Sequence, residues 1–198
     1  MSQNNKAVII DAGADPEDIK NILQKQTVAG ILITHAHFDH IFNLEKLAQI
    51  FNVPVYIQKS GVEKLYNAKL NFSERFIKAF KINKKLNIIE VSDNDIIKIS
   101  DNFLIKVLET PGHSSCSVCY KINNLLFAGD TLFENGIGRC DLEPDSKSKM
   151  VSSLEKLSVV TGYDIVYSGH GKESSYERQQ RNISINLKYL KRSINSEI

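Results

Sequence analysis

Four residues able to bind a metal fall within six positions, His35-Ala-His37-Phe-Asp39-His40. His35 and His37 stand two apart, so at the end of an extended strand their rings point to the same side. Asp39 and His40 are neighbours and serve one site only if the chain turns there. A turn is expected, because Ile41, Leu44, Leu47, Ala48 and Phe51 follow at helical spacing. The pattern predicts two adjacent pockets, one faced by His35 and His37, the other by Asp39 and His40. Imidazole plus carboxylate suits zinc, iron or manganese.

The remaining histidines strengthen this reading. The chain has five, and the two outside the cluster each end an apolar strand-like run in a glycine-containing turn: Thr110-Pro-Gly-His113 and Tyr167-Ser-Gly-His170-Gly. A single histidine at a strand end is ordinarily a surface residue. Here no histidine is left over for that role, which favours a metal centre. Together with Ala128-Gly-Asp130-Thr-Leu-Phe133, these motifs resemble the metallo-β-lactamase superfamily. Within it they resemble the short, single-domain glyoxalase II-like (hydroxyacylglutathione hydrolase-like) hydrolases. The resemblance covers nearly all of the chain, in the right order.

The elements that must position these residues follow from periodicity. Ala29 to Ile33 is an apolar, β-branched run that reads as a buried strand, emptying at Thr34 into the cluster. Upstream, Ala7 to Ile10 reads as a strand ending at Asp11-Ala-Gly-Ala-Asp15. Asp15-Pro16-Glu17-Asp18 starts a helix, with an N-cap Asp, Pro at the first position and acids in the first turn. Ile19, Ile22 and Leu23 give that helix its inner face. Downstream, Val53 to Ile57 reads as a strand and residues 60–86 as helices and loop. There Tyr66, Phe72, Phe76 and Phe80 recur at near-helical spacing, which assigns them to the core rather than to the roof of a substrate pocket. Leu86 to Val91, Ile96 to Ile99 and Phe103 to Leu108 read as strands, the last delivering His113. Ser117 to Ile122 and Leu125 to Ala128 flank Asn123-Asn124, a hairpin pair that tolerates positive φ. Met150, Val151, Leu154, Leu157 and Val160 mark a helix, and Asp164 to Tyr167 a strand delivering His170. A last helix spans Tyr176 to Ile194, with Ile183, Leu187, Leu190 and Ile194 on one face and its basic residues solvated. Strands in two runs, each relieved by helices, fit two sheets packed face to face. Periodicity alone leaves α+β and α/β open.

Length and composition narrow the class. The 198 residues suit one domain, 1–198, large enough to bury a core. Net charge is +2 and the lysines are spread, so no electrostatic case exists for nucleic acid or anionic membrane. No apolar run is long enough to span a bilayer and the N-terminus has no apolar signal region, which sets the expectation of a cytoplasmic protein without membrane partners. Three cysteines make no disulfide framework. Cys116 and Cys119 lie along a strand, where positions three apart face opposite ways, so they are read as neither redox pair nor zinc site. Cys140, in a polar loop, is read as incidental. Nothing in the sequence sets the oligomeric state.

The resemblance implies a four-layer αββα sandwich of the α+β class, with ligands at one rim where strands end. It implies one ion on His35, His37 and His113, a second on Asp39, His40 and His170, and Asp130 bridging them. Two divalent ions are implied, zinc first, with iron or manganese as alternatives. Relatives begin with a further edge strand. Here only Met1 to Lys6 precede the first strand, so either that strand is missing or the start lies upstream. Asp11 matches a strand-end Asp that supports the metal site in relatives, or it caps a loop. A metal pair clamps an attacking oxygen and polarises a carbonyl, and it lowers the pKa of bound water towards neutrality. The metal-bound hydroxide is then the nucleophile, Asp130 holds the pair, and Asp39 orients the hydroxide or relays a proton. Two divalent ions outweigh these anions, so the pocket suits an ester-like carbonyl on an anionic body.

The same resemblance narrows the reaction. Diiron oxygen-reducing relatives carry Glu at the position of His37. Lactamase classes lack the carboxylate at Asp130 or one of the histidines, and ribonucleases of the superfamily need an RNA-binding arm. Gly129-Asp130-Thr-Leu-Phe133 with Gly138-Arg139-x-Asp141 implies a small thioester, of glutathione or a similar thiol, as substrate. Arg139 meets a substrate carboxylate or pairs with Asp141. The chain shows no counterpart of the C-terminal helical domain that grips glutathione in larger relatives, which sets the expectation of weaker glutathione affinity. Three alternatives stay open. One is a single-iron persulfide dioxygenase using His35, His113 and Asp130. Another is a lactone hydrolase with the same seven ligands. The third is a metal-stabilised domain that binds a thiol or acyl carrier without turnover.

Overall fold

Five strands of the N-terminal part lie side by side in chain order: β1 (Ser2–Gln3), β2 (Lys6–Ile10), β3 (Thr27–Leu32), β4 (Val55–Gln58) and β5 (Ile88–Val91). The structure, a computed structural model, describes residues 1–3 and 5–196. It divides into two compact units, Met1–Val91 with Ile99–Phe103, and Ser92–Lys98 with Leu104–Ile198. In the first unit β2 to β5 are parallel. Parallel neighbours need crossovers, and helices supply them. α1 (Pro16–Leu23) joins β2 to β3, and α2 (Phe38–Ile41) with α3 (Leu44–Phe51) joins β3 to β4. A short 3-10 turn, Lys59–Gly61, with α4 (Val62–Leu65) and α5 (Ser73–Phe76), lies between β4 and β5. Central β3 ends in four consecutive buried residues, Gly30, Ile31, Leu32 and then Ile33 just beyond it. Such an unbroken apolar run marks a parallel strand covered on both faces.

α1 starts as expected, with the Asp15 carboxylate accepting from the Glu17 amide at 2.8 Å and Pro16 in the first turn. Its inner face is Pro16, half-buried Ile19 and Leu23. Ile22 is 74% exposed, a correction to the sequence reading, because it sits about 100° around the helix from Leu23. The edge strand that the sequence reading gave as missing or upstream is present in abbreviated form, a correction, since Ser2 and Gln3 pair antiparallel with β2. Asn5 holds φ 62°, a left-handed conformation that asparagine tolerates, and it lies just before β2. The helix read from Ile41 to Phe51 is broken at Phe42-Asn43. There the Asn43 side chain donates to Gly13 O and Ala14 O, at 3.1 and 3.0 Å, and its amide donates to Ala12 O.

The core assignment of Tyr66, Phe72, Phe76 and Phe80 is also corrected. None of the four is fully buried, and Phe76 is 51% exposed. Residues 67–80 form a loop around the single turn of α5 rather than the longer helix the spacing suggests, closed by buried Asn71 and Ser73. Asn71 Nδ2 and Ser73 Oγ both donate to Phe80 O, at 2.9 and 2.8 Å. Side-chain closure of this kind competes with the helical ladder the spacing suggests.

The second unit carries a sheet of order β13-β12-β9-β8-β7-β6. Its strands are β6 (Ile96–Ser100), β7 (Phe103–Glu109), β8 (Val118–Ile122), β9 (Leu125–Gly129), β12 (Ile165–Ser168) and β13 (Ser174–Ser175). A small hairpin, β10 (Leu132–Phe133) with β11 (Gly136–Ile137), follows β9. α6 (Ser146–Ser158) and α7 (Tyr176–Asn195) share one core cluster with this sheet, in which Met150, Leu154, Leu157, Ile183 and Leu190 meet Leu108, Leu126 and Val166. β7 and β9 are each antiparallel to β8, and β12 is parallel to β9. The three therefore point the same way, and the loops bearing His113, Asp130 and His170 leave at one edge. No helix among the described residues is long and apolar enough to cross a membrane.

Candidate metal centre

In the first unit, β2 and β3 pair with Ile10 opposite Leu32, so Asp11 and Thr34 emerge together at the carboxyl end of the sheet. Crevices at such ends are the usual binding places of parallel sheets. Asp11 Oδ1 accepts from the Thr34 amide, and its Oδ2 accepts from Thr34 Oγ1, both at 2.8 Å. The same Oδ2 lies 2.7 Å from His40 Nδ1. A carboxylate only accepts, so His40 carries its proton on Nδ1 and turns the Nε2 lone pair outward. Thr34 has spent its one hydroxyl proton on Asp11. Its 3.1 Å contact with His35 Nδ1 is therefore a donation from the ring, which leaves His35 Nε2 as the second outward lone pair.

That His35 Nε2 lies 3.0 Å from His37 Nδ1. Two nitrogens held by one tetrahedral zinc at about 2.0–2.1 Å stand about 3.3 Å apart, so the pair fits a shared ion. His37 ends the extended segment at ψ 149°, and α2 begins at the next residue. This is the turn that Asp39 and His40 require. It brings Asp39 Oδ2 to 3.7 Å from His40 Nε2, while the ligand atoms of His35 and His40 lie within 4.8 Å of each other. His35, His37 and His40 are buried, and Asp39 is partly exposed. Gly13 backs the turn so closely that a Cβ there would overlap the Asp39 carbonyl.

In the second unit, β9 and β12 end with Gly129 opposite Ser168, so Asp130 and His170 follow from neighbouring strands. Asp130 Oδ2 lies 3.5 Å from His113 Nε2 and 3.7 Å from His170 Nε2. His113 Nδ1 donates to Arg139 O at 3.2 Å, so its Nε2 presents a lone pair to the carboxylate. His113 and Asp130 are buried, whereas the His170 side chain is 57% exposed. Gly138 allows the close approach behind them, because a Cβ there would overlap the Asp130 carbonyl and the His113 ring. The first unit thus presents His35 and His40, and the second His113, each oriented through its other ring nitrogen, a donor set that suits divalent zinc or iron.

Arg139 gives both ends of its fork to Asp141, at 2.6 and 2.7 Å. Burial and then the Asp141 charge push the Cys140 thiol up to about 11, and burial pushes that of Cys119 to about 11. Neither is a nucleophile near neutral pH.

Sequence reasoning missed three supporting residues. Thr34 sets the His35 ring, and nothing in its type announced this. Glu143 accepts from Ser114 Oγ and the Ser115 amide, both at 3.1 Å, and so braces the turn after His113. Phe72 packs its ring edge-on against His37 with centroids 5.0 Å apart. The link from Phe38 N to Asn71 O, at 3.0 Å, ties its loop to the ligand turn.

Strand ends that carry histidines and aspartates oriented for divalent metals define a candidate metal-binding protein. The family model described as Metallo-beta-lactamase superfamily matches residues 2–170. The chain belongs to that superfamily and has its fold. It is 32% identical over 185 residues to a protein of Bacillus subtilis (strain 168) described as a probable metallo-hydrolase, YqgX, covering 91% of this chain and 87% of that one. It is 27% identical to PksB of the same organism, described as a probable polyketide biosynthesis zinc-dependent hydrolase, over 84% of this chain and 68% of that one. Among solved structures, that of BLEG-1, described as a B3 metallo-beta-lactamase, is similar with TM-score 0.84 and 31% identity, covering 93% of this chain and 90% of that one. TTHA1623, solved in a di-iron-bound form, has TM-score 0.73 and 27% identity, covering 87% and 86%.

Proposed function

We propose that this protein is a two-metal hydrolase of small thioesters. In this reading His35, His37 and His113 hold one ion, Asp39, His40 and His170 hold the other, and Asp130 bridges them. The observation that carries it is the Asp130 carboxylate, whose single oxygen faces two imidazole nitrogens at 3.5 and 3.7 Å. One oxygen shared by two ligand sets is what a bridging carboxylate requires. When bound, such a pair supplies Lewis acidity to a carbonyl and lowers the pKa of water. The relatives described as zinc-dependent and as di-iron-bound support zinc or iron in that role.

The chain's own residues set the geometry. Asp11 fixes His40, the Arg139 carbonyl fixes His113, and Thr34 fixes His35, so three rings lose no order when the substrate arrives. Asp39 is the one partly exposed carboxylate of the set, and its Oδ2 is the atom placed to take a proton and return it to the departing thiol. A substrate carboxylate at Arg139 would share the guanidinium with Asp141. The thioester itself rests on the Gly-Asp-Thr-Leu-Phe and Gly-Arg-x-Asp motifs. The likeness to BLEG-1 favours β-lactam opening as the second reading. Elemental analysis with a panel of thioesters, S-lactoylglutathione, lactones and a β-lactam tests both. Two ions per chain with thioester turnover is the expected result. Turnover of the β-lactam or lactones alone would overturn the thioester assignment.

A further inference from the structure

The family match ends at His170, yet the next helix reaches back to the segment that carries the ligands of this unit. Gln179 on α7 is fully buried, and its amide nitrogen makes two donations at once, to Phe133 O at 2.8 Å and to Ser174 Oγ at 2.7 Å. Phe133 lies three residues after Asp130, and Ser174 lies four after His170. Asn182, one turn further along α7, donates to Gly136 O at 2.7 Å and to Gln179 Oε1 at 3.0 Å. The two amides therefore grip both strands of the β10–β11 hairpin. That hairpin leaves Asp130 at one end. At the other it returns through Gly138, where a Cβ would overlap the Asp130 carbonyl and the His113 ring, to the Arg139 carbonyl that orients His113.

We propose that Gln179, seconded by Asn182, is a positioning residue for the metal centre, locking the Asp130 hairpin to the His170 loop so that both carboxylate–imidazole spacings are fixed before metal arrives. Both protons of the Gln179 amide are spent, one on each loop, so no other packed side chain of similar volume without two donors can replace it. A purely structural amide would stabilise α7 against the sheet and leave metal affinity unchanged.

The proposal rests on the metal-centre reading above, and titration of the metal-stripped protein with cobalt(II), followed by its visible absorption, separates the two. Wild type tests that reading by the number of ions bound. Gln179→Met and the milder Ser174→Ala, which removes only the His170 arm, test this inference by affinity. Both variants are expected to weaken at least one cobalt site about 10–100-fold, the range seen when the groups orienting metal ligands are removed. The metal-free melting temperature of Ser174→Ala should stay within a few degrees of wild type. Unchanged cobalt affinity in both variants would overturn the proposal, whatever the ion count. So would a fall in affinity only in proportion to lost metal-free stability. If Gln179→Met fails to fold, Ser174→Ala alone decides.

Discussion

Replacing Asp11 by Asn isolates the orienting role of one carboxylate. Asn suits the backbone, because Asp11 sits at φ 58° and asparagine is among the few residues that visit this region readily. Its carbonyl oxygen still accepts from the Thr34 amide in place of Oδ1. The new amide nitrogen then takes the place of Oδ2, facing Thr34 Oγ1 and His40 Nδ1, at present 2.8 and 2.7 Å away. The hydroxyl rotates to accept. The imidazole accepts only by moving its proton to Nε2, which removes the lone pair a metal needs. Restoring that lone pair sets donor against donor and forfeits a hydrogen bond to a charged group, worth about 1.5–3 kcal/mol. At about 1.4 kcal/mol per decade this predicts a loss of roughly 10–150-fold in affinity for the ion held by His40. Metal titration gives the affinity. Nitrogen-15 NMR of the histidine rings gives the tautomer, which should switch at His40. An Asp11→Asn protein with wild-type affinity and an unchanged His40 tautomer would refute the reasoning.

Other outcomes follow from the same structure. His40→Ala should cut thioester hydrolysis steeply, and near-normal turnover in that variant, or oxygen consumption by wild type with glutathione persulfide, would favour the one-iron dioxygenase. Thiol labelling at pH 8 should leave Cys116 and Cys119 unmodified in the native state, while denaturant exposes all three cysteines. Stability should also fall between about pH 9 and 11, because in that window an unfolded Cys119 releases a proton that the folded one, raised to about 11 by burial, retains; denaturant titrations across this range, compared with Cys119→Ala, measure the effect. Asn123, at φ 52° in the β8–β9 turn, should tolerate Gly, whereas Asn123→Val should lower stability by about 1–2 kcal/mol in thermal unfolding.

The loop of residues 67–80 shows where local pattern misleads. Phe72, Phe76 and Phe80 repeat at near-helical intervals, but a period says only which residues would share a face if a helix formed. Asn71 and Ser73 close the segment through their side chains instead, with Phe72 at φ 63°, so the Phe72 ring meets His37 and Phe76 lies at the surface. Ile22 fails for a related reason: an eight-residue helix has room for one narrow buried stripe, and the sheet it packs on selects which.

The sequence by itself determined what depends on near neighbours. Asp15-Pro16 capped a helix, Ala29 to Ile33 made a buried strand, and the spacing of His35, His37, Asp39 and His40 made a ligand turn. Each rests on backbone sterics and hydrogen bonds within a few residues. The tertiary structure alone decided which nitrogen of each ring faces outward. That choice hangs on partners far along the chain: Asp11 for His40, 29 residues away, and the Arg139 carbonyl for His113, 26 away. It also decided that Gln179 joins the loops after Asp130 and His170, 46 and 5 residues distant. A hydrogen bond between remote residues leaves no periodic trace, because it is set by the strand order that brings their loops to one edge.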